Sequence, residues 1–352
     1  MNFEPNNRSE SRLIKIYKEL VTPRLIEEKM LILLRQGKIS KWFSGIGQEA
    51  ISVGAALCMK DSEYILPMHR NLGVFTTRKI PLEKLFSQFQ GKANGFTKGR
   101  DRSFHFGTQE YHLIGMISHL GPQLAVADGI ALADLIQKNK KVTLVFTGDG
   151  GSSQGDFHEA VNVASVWNLP VIFVIENNGY GLSTPSNQQY NFDSFLVKGP
   201  AYGIEAVSVD GNNILEVMNE LEKICKSIRE RPRPVIFEAK TFRMRGHEEA
   251  SGTKYVPKEL MNYWVKKDPI VNYEHFLMES GIDLELLESF KKNIKKEINV
   301  AVKKAFSEVP LTVNSEKELA DVYAPFTQKN QELETTNREI RFVDAISEGL
   351  RQ

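Results

Sequence analysis

Two cysteines, Cys58 and Cys225, are all the thiol this 352-residue chain contains, and neither stands with another Cys or a His at metal-ligand spacing. A disulfide framework and a structural zinc site are therefore excluded, and two buried apolar thiols in a reducing compartment are the reading that remains. Charge of one sign is equally scarce. Forty-five Lys plus Arg stand against 44 Asp plus Glu, a formal net charge of +1, so no whole-chain field favours nucleic acid or an anionic membrane. No apolar run approaches the ~20 residues of a membrane span. Met1-Asn2-Phe3-Glu4-Pro5 lacks the basic and then apolar pattern of a secretion signal. A cytoplasmic protein with neither nucleic acid nor membrane as partner is the expectation.

What the chain does have is the composition of an ordinary globular protein and enough length for a sizeable core. From Ser11 to Arg35, Leu13, Ile16, Leu20, Leu25, Ile26, Met30, Leu33 and Leu34 recur at helical spacing. Pro23 is expected to divide that helix in two, and Gly37 to close it. The middle of the chain then alternates. Helices at 122–138, 153–167 and 214–229 are interleaved with β-branched runs at 142–146, 171–175, 206–209 and 235–239. Gly, Asn and Asp gather at the strand exits. The pattern predicts an α/β domain whose mostly parallel sheet is covered by helices on both faces, with ligands bound beyond the carboxyl ends of the strands. A charged helix over 284–309 is expected to cover a surface. Residues 310–340 read as a polar linker, and a fresh helical pattern opens at Arg341. The organisation expected is a helical arm over 1–36, one large domain over 37–309, the linker, and in 341–352 the start of something further.

Chemistry concentrates at two strand exits, Gly148-Asp149-Gly150-Gly151-Ser152-Ser153 and Glu176-Asn177-Asn178-Gly179-Tyr180-Gly181. A glycine-rich turn that opens a helix offers backbone N–H groups and the positive end of the helix dipole, which suit a diphosphate. An acidic residue in the same turn would repel that diphosphate unless a cation stood between them, and Mg²⁺ bridges carboxylates to phosphates in this way. Asn178 adds a neutral oxygen, and a carbonyl of the Asn-Gly-Tyr turn could add another. A dinucleotide fingerprint fails here, since its third glycine is Ser153 and Asp149 sits inside the phosphate loop. No Gly-x-x-x-x-Gly-Lys-Ser/Thr stretch exists. Either cluster alone would pass for a turn; it is their pairing on neighbouring strands that points to a site.

Gly148-Asp149-Gly150, 26 intervening residues and Asn177-Asn178 together resemble the thiamine diphosphate signature. The surroundings from about 11 to 325 resemble the alpha chain of the decarboxylating component of 2-oxo acid dehydrogenase complexes. They include Gly45-Ile46-Gly47-Gln48-Glu49-Ala50, His69-Arg70, Leu182-Ser183-Thr184-Pro185 and Thr241 through His247. The resemblance implies the thiamine diphosphate-binding fold and both cofactors, thiamine diphosphate and Mg²⁺. It makes Asp149, Asn178 and the Tyr180 carbonyl the metal ligands. Arg70, His69 and the backbone of Gly150 and Gly151 would hold the diphosphate, Ser118 and Leu120 the aminopyrimidine side. His247 would be catalytic, meeting the incoming lipoyl arm and giving a proton to its sulfur.

The same resemblance implies partners: a beta chain or fused beta domain that completes the site, a lipoyl-bearing acyltransferase, a 2-oxo acid substrate and an alpha2-beta2-like assembly. Arg341 through Gln352 resembles the opening helix of a beta chain, so an alpha portion of a fused alpha-beta enzyme is one expectation. Leu72 stands where pyruvate-type members carry a histidine, which favours a branched-chain substrate of the 3-methyl-2-oxobutanoate type; pyruvate or acetoin is the alternative, and an inactive cofactor-binding scaffold the non-enzyme one. Glu248 replaces the serine that is phosphorylated in animal members, so that control is not expected here.

Overall fold

In the computed structural model, residues 1–116, 120–327 and 338–351 are described. They fall into two compact units, Met1–Leu311 and Thr312–Gln352. The first is built on a five-stranded sheet from β1 (Ile65–Leu66), β2 (Thr143–Gly148), β3 (Val171–Asn177), β6 (Glu205–Asp210) and β7 (Val235–Lys240), in the order β1-β2-β3-β7-β6. All four pairings are parallel. The remaining strands, β4 (Tyr180–Gly181) and β5 (Thr184–Pro185), form a small antiparallel hairpin.

The uninterrupted apolar runs follow from this position. Successive side chains of a strand point to opposite faces, and both faces are cores. Leu144, Phe146, Ile172, Val174 and Phe237 join the larger cluster, whereas Val145, Phe173, Ile175 and Ile236 join the smaller one. Helix Pro122–Ile136 and helix Gly155–Trp167 cover the latter side, and helices Glu49–Cys58 and Ile214–Glu230 the former. Strand β1 was not foreseen, because two residues are too few to show a period.

The division expected at Pro23 does not occur. One helix runs from Glu10 to Arg35 with Pro23 inside it, capped by the Ser9 hydroxyl, which accepts from the Arg12 N–H. An interior proline costs about 3 kcal/mol. Leu20, Val21, Leu25 and Ile26 are all buried around it, and at roughly 1.5–3 kcal/mol for each large side chain this burial outweighs the lost hydrogen bond.

That helix also braces the site. Glu27 is 1% exposed and accepts from the Trp42 indole at 2.6 Å and the Gly45 N–H at 2.8 Å. It thereby fixes the loop whose Ser44 carbonyl accepts from Arg70 at 3.1 Å. The second unit contains helix Ser315–Ala320, capped by Asn314, and helix Phe342–Arg351. The stretch expected to be an irregular linker thus holds a short helix, and its residues 328–337 lie outside the described ones.

Burial pushes the Glu27 carboxyl up to about 7, although the hydrogen bonds from Trp42, Gly45 and Ser44 pull it the other way. Its folded pKa exceeds the unfolded value, so the stability it adds is complete below about pH 4.5 and is lost as pH rises through about 7. Glu27→Gln leaves one buried N–H facing an amide N–H, and should lower stability by about 1–3 kcal/mol in denaturant unfolding. That deficit should be largest near pH 5 and shrink toward pH 8; a deficit that grows with pH would show the carboxylate to be ionised in the fold.

Candidate functional site

Strand register decides which loops meet. Gly148 pairs with Glu176 and Glu176 with Ala239, so the segments leaving β2, β3 and β7 emerge side by side at one edge of the sheet. They line a cavity of about 450 Å³. After β2 the Asp149 N–H reaches the Glu176 carbonyl, and the chain turns through Gly151–Ser153 into helix Gly155–Trp167. After β3, Gly179 takes φ +79°, a conformation that ordinary side chains rarely adopt, and starts the hairpin. The two loops touch through glycine. A Cβ on Gly150 would lie 2.8 Å from the Gly181 Cα, and one on Gly151 would lie 2.6 Å from the Thr147 hydroxyl.

Asp149 is buried, and its Oδ2 has no hydrogen-bond partner among the described residues. Desolvation raises its pKa to about 6, against the pull of the backbone N–H groups of Asp149, Gly150 and Asn178 and of the Arg243 charge. The Asn178 side-chain oxygen accepts from the Tyr180 N–H at 3.1 Å, and both residues line the cavity. Among the described residues no group of three His, Cys, Asp or Glu side chains is placed to hold a metal. A cation here would therefore rest on one carboxylate and neutral oxygens, with the remaining ligands coming from what binds beside it. Below the cavity, Glu176 is held by the Asn71 amide at 2.6 Å and the Gln48 amide at 3.0 Å. Burial lifts its pKa to about 7.

Opposite Asp149 stand two arginines. Arg70 is 6% exposed and Arg243 5%, and neither forms an ion pair with a carboxylate among the described residues. Arg70 donates to the carbonyls of Ser44 and His247 and to His247 Nδ1. Arg243 donates to the Leu182 carbonyl at 2.5 Å and the Tyr255 hydroxyl at 2.7 Å, while its Nε is buried without a partner among the described residues. Burial and the neighbouring Arg243 push the Arg70 pKa down to about 9. Such a pair is a demand for an anion, since each buried charge costs several kcal/mol unless compensated. His247 sits against both, and its pKa is lowered to about 4 by burial, then by Arg70, Arg243 and Lys41. His69 packs edge-on to Phe43, with ring centroids 4.9 Å apart, and its Nε2 is buried without a partner among the described residues. Burial, with Arg70 beside it, holds its pKa well below the ordinary value.

The fold thus brings His69, Arg70, Leu120, Asp149, Gly150, Gly151, Asn178, Tyr180 and His247 to one cavity. Leu120 is half-buried: a Cβ on Gly151 would be 3.4 Å from its own, so it packs and lines the wall at once. Ser118 lies outside the described residues. One expectation changes. Leu72, which with Leu182 through Pro185 and Asn262 through Trp264 suggested a bulky substrate, is buried in the core and does not line the cavity, whereas Leu182 and Thr184 do. Arg243 enters as a cavity charge that motif reading passed over; the signal available was its place in the Thr241–His247 stretch, four residues before His247.

A family model described as "Dehydrogenase E1 component" matches residues 17–314. The chain is 32% identical over 350 residues to the 2-oxoisovalerate dehydrogenase subunit alpha, mitochondrial, of Caenorhabditis elegans, covering 94% of this chain and 81% of that one. It is 32% identical over 318 residues to the Bos taurus subunit, covering 89% and 69%. The Homo sapiens subunit is 31% identical over 298 residues, covering 84% and 67%.

The glycine contact between the two loops generates a paired test. Gly150→Ala places its Cβ 2.8 Å from backbone, whereas a Cβ on Gly148 meets nothing nearer than 4.0 Å. Gly150→Ala should lose roughly 1–3 kcal/mol in denaturant unfolding, and Gly148→Ala should stay within about 0.5 kcal/mol of the parent. Equal losses would contradict the close approach.

Proposed function

Because the chain belongs to the dehydrogenase E1 component family, a thiamine diphosphate-dependent family whose alpha subunits work with a beta subunit on 2-oxo acids, we propose that it is the alpha subunit of a branched-chain 2-oxo acid dehydrogenase. In this reading it carries out oxidative decarboxylation of a 3-methyl-2-oxobutanoate-type acid and passes the acyl group to a lipoyl-bearing acyltransferase. The substrate preference is drawn from the relatives, which are named for 2-oxoisovalerate.

The observation that carries the cofactor reading is the Asp149 oxygen, buried at a glycine turn without a partner among the described residues, in a cavity also lined by two buried arginines that form no carboxylate ion pair among those residues. These residues fit a diphosphate and a divalent cation together. Asp149, Asn178 and the Tyr180 carbonyl would hold Mg²⁺, which satisfies the free carboxylate oxygen and keeps it ionised. Arg70 and the N–H groups of Gly150 and Gly151 would hold the diphosphate, with Arg243 adding charge from the far wall. Leu120 would support the ring portion, with Ser118 as its companion and His69 along the same wall.

When bound, thiamine diphosphate supplies the electron sink for the carbon–carbon cleavage that releases CO₂. The chain's own work is to bind, orient and keep water out. The buried arginines and the glycine-turn N–H groups would fix the diphosphate end, while Glu176 ties Asn71 and Gln48 together beside it. Met68, Leu120 and Leu182 give the cavity apolar walls. His247, at the wall shared with a second cavity, is the residue we assign to acyl transfer.

Titration of thiamine diphosphate with Mg²⁺, using the chain assembled with its beta-type partner, tests the metal assignment. Asp149→Asn should weaken Mg²⁺-dependent binding by roughly 10–100-fold; unchanged affinity would remove Asp149 from the ligand set. In the same assembly CO₂ release should be faster from 3-methyl-2-oxobutanoate than from pyruvate, and faster pyruvate turnover would overturn the substrate choice. His247→Ala should keep CO₂ release with an artificial electron acceptor while lipoyl acylation falls by about 10²–10⁴-fold. Equal loss of both would assign His247 to decarboxylation.

A further inference from the structure

His247 lies between two guanidinium groups. Arg70 Nη2 stands 3.1 Å from its Nδ1 and 2.5 Å from its carbonyl oxygen, and Arg243 Nη1 stands 3.4 Å from the same Nδ1. A guanidinium has five N–H donors and no acceptor. Nδ1 can meet these donors only with its lone pair; a proton there would set N–H against N–H in a buried site and bring a third positive charge to Arg70 and Arg243. A neutral imidazole carries one proton, and here that leaves Nε2.

We infer that Arg70 and Arg243 are positioning residues that hold His247 as the neutral Nε2–H tautomer, so that it serves acyl transfer as a hydrogen-bond donor that keeps its proton. This rests on the reading of His247 given above and alters its chemistry. The resemblance to 2-oxo acid dehydrogenases implied a histidine that hands a proton to sulfur. Release from a neutral ring would leave an imidazolate, and release from an imidazolium would first require Nδ1 to be protonated, the state the two arginines oppose. A donor that stabilises the negative charge developing on the departing lipoyl sulfur, as the S–S bond breaks and the acyl carbon bonds the other sulfur, needs neither; the thiolate then takes its proton from water.

The surroundings agree from every side. Phe43 meets the His247 ring edge-on, with centroids 5.7 Å apart, and carries the Lys41 ammonium 5.0 Å from its own centroid. His69, itself held neutral by burial, lies 5.7 Å away ring to ring. Among the described residues no carboxylate forms an ion pair with His247. Burial first, and then the charges of Arg70, Arg243 and Lys41, lower the pKa of the ring. A bound diphosphate need not break the arrangement. Arg70 uses one N–H on Ser44 and two on His247, which leaves the other two of its five for an anion.

The test is a two-bond proton–nitrogen correlation spectrum of the full chain, labelled with nitrogen-15 histidine and assembled with its beta-type partner; the signals lost in His247→Gln identify the residue. At neutral pH, with or without thiamine diphosphate and Mg²⁺, Nδ1 should appear at the unprotonated position and Nε2 at the protonated one. A protonated Nδ1 in either state would overturn the inference. The double variant Arg70→Gln/Arg243→Gln, if its melting curve shows it folded, should move Nδ1 toward a tautomer-averaged position. If it does not fold, Arg243→Gln alone should move it part of the way. An unmoved signal in the folded variant would show that the arginines do not set the tautomer. An Nε2–H ring in an assembly that binds cofactor but never acylates a lipoyl carrier would sink the acyl-transfer reading and leave the tautomer standing.

Discussion

The structure turns on a charge imbalance taken out of water. Arg70 and Arg243 are buried and form no ion pair with a carboxylate among the described residues, and Asp149 is buried in the same cavity with an oxygen that has no hydrogen-bond partner among them. In an interior of low effective dielectric neither arrangement is stable by itself: two cations repel, and an unpartnered carboxylate drifts toward its protonated form. A diphosphate alone would satisfy the arginines and repel Asp149; a divalent cation alone would satisfy Asp149 and repel the arginines. Only the pair satisfies both walls, and the rest of the fold keeps those walls at the right separation.

Three supports do that work. Sheet register brings the loops after β2, β3 and β7 to one edge, so that residues distant in sequence face one cavity. Glycine at 150 lets its backbone approach that of Gly181 more closely than a side chain there would allow. Glu27, from the long N-terminal helix, ties down the loop behind Arg70 through Trp42 and Gly45. The helix therefore stabilises the core and stiffens the anion site at once, since the same carboxylate belongs to both.

Much of the site was legible in the sequence because its signal is local. Gly148 through Ser153 and Glu176 through Gly181 interrupt apolar runs with residues that a buried strand would not tolerate, and the parallel sheet follows from those runs being apolar on both faces. What was not legible depends on tertiary geometry. Glu27 looks like an ordinary charge on an amphipathic helix until Trp42 folds onto it. Arg243 becomes a cavity residue only through the placement of the chain after β7. Pro23 obeys a local rule that the burial around it overrides. Leu72 invited a substrate argument because pyruvate-type members carry a histidine at its place, yet it begins the short helix Leu72–Thr77 and is buried in the core.

The central claim is that cation and diphosphate are held jointly and not separately. The most direct measurement is the thermal stability of the full chain with Mg²⁺ alone, inorganic diphosphate alone, and both together at equal concentrations. Ligands that bind only the folded state stabilise it by an amount that grows with occupancy, about 2.7 kcal/mol at a hundredfold excess over the dissociation constant. The account predicts small shifts for either ligand alone and, for the two together, a shift well beyond their sum. Full stabilisation by diphosphate without Mg²⁺, or purely additive shifts, would contradict it.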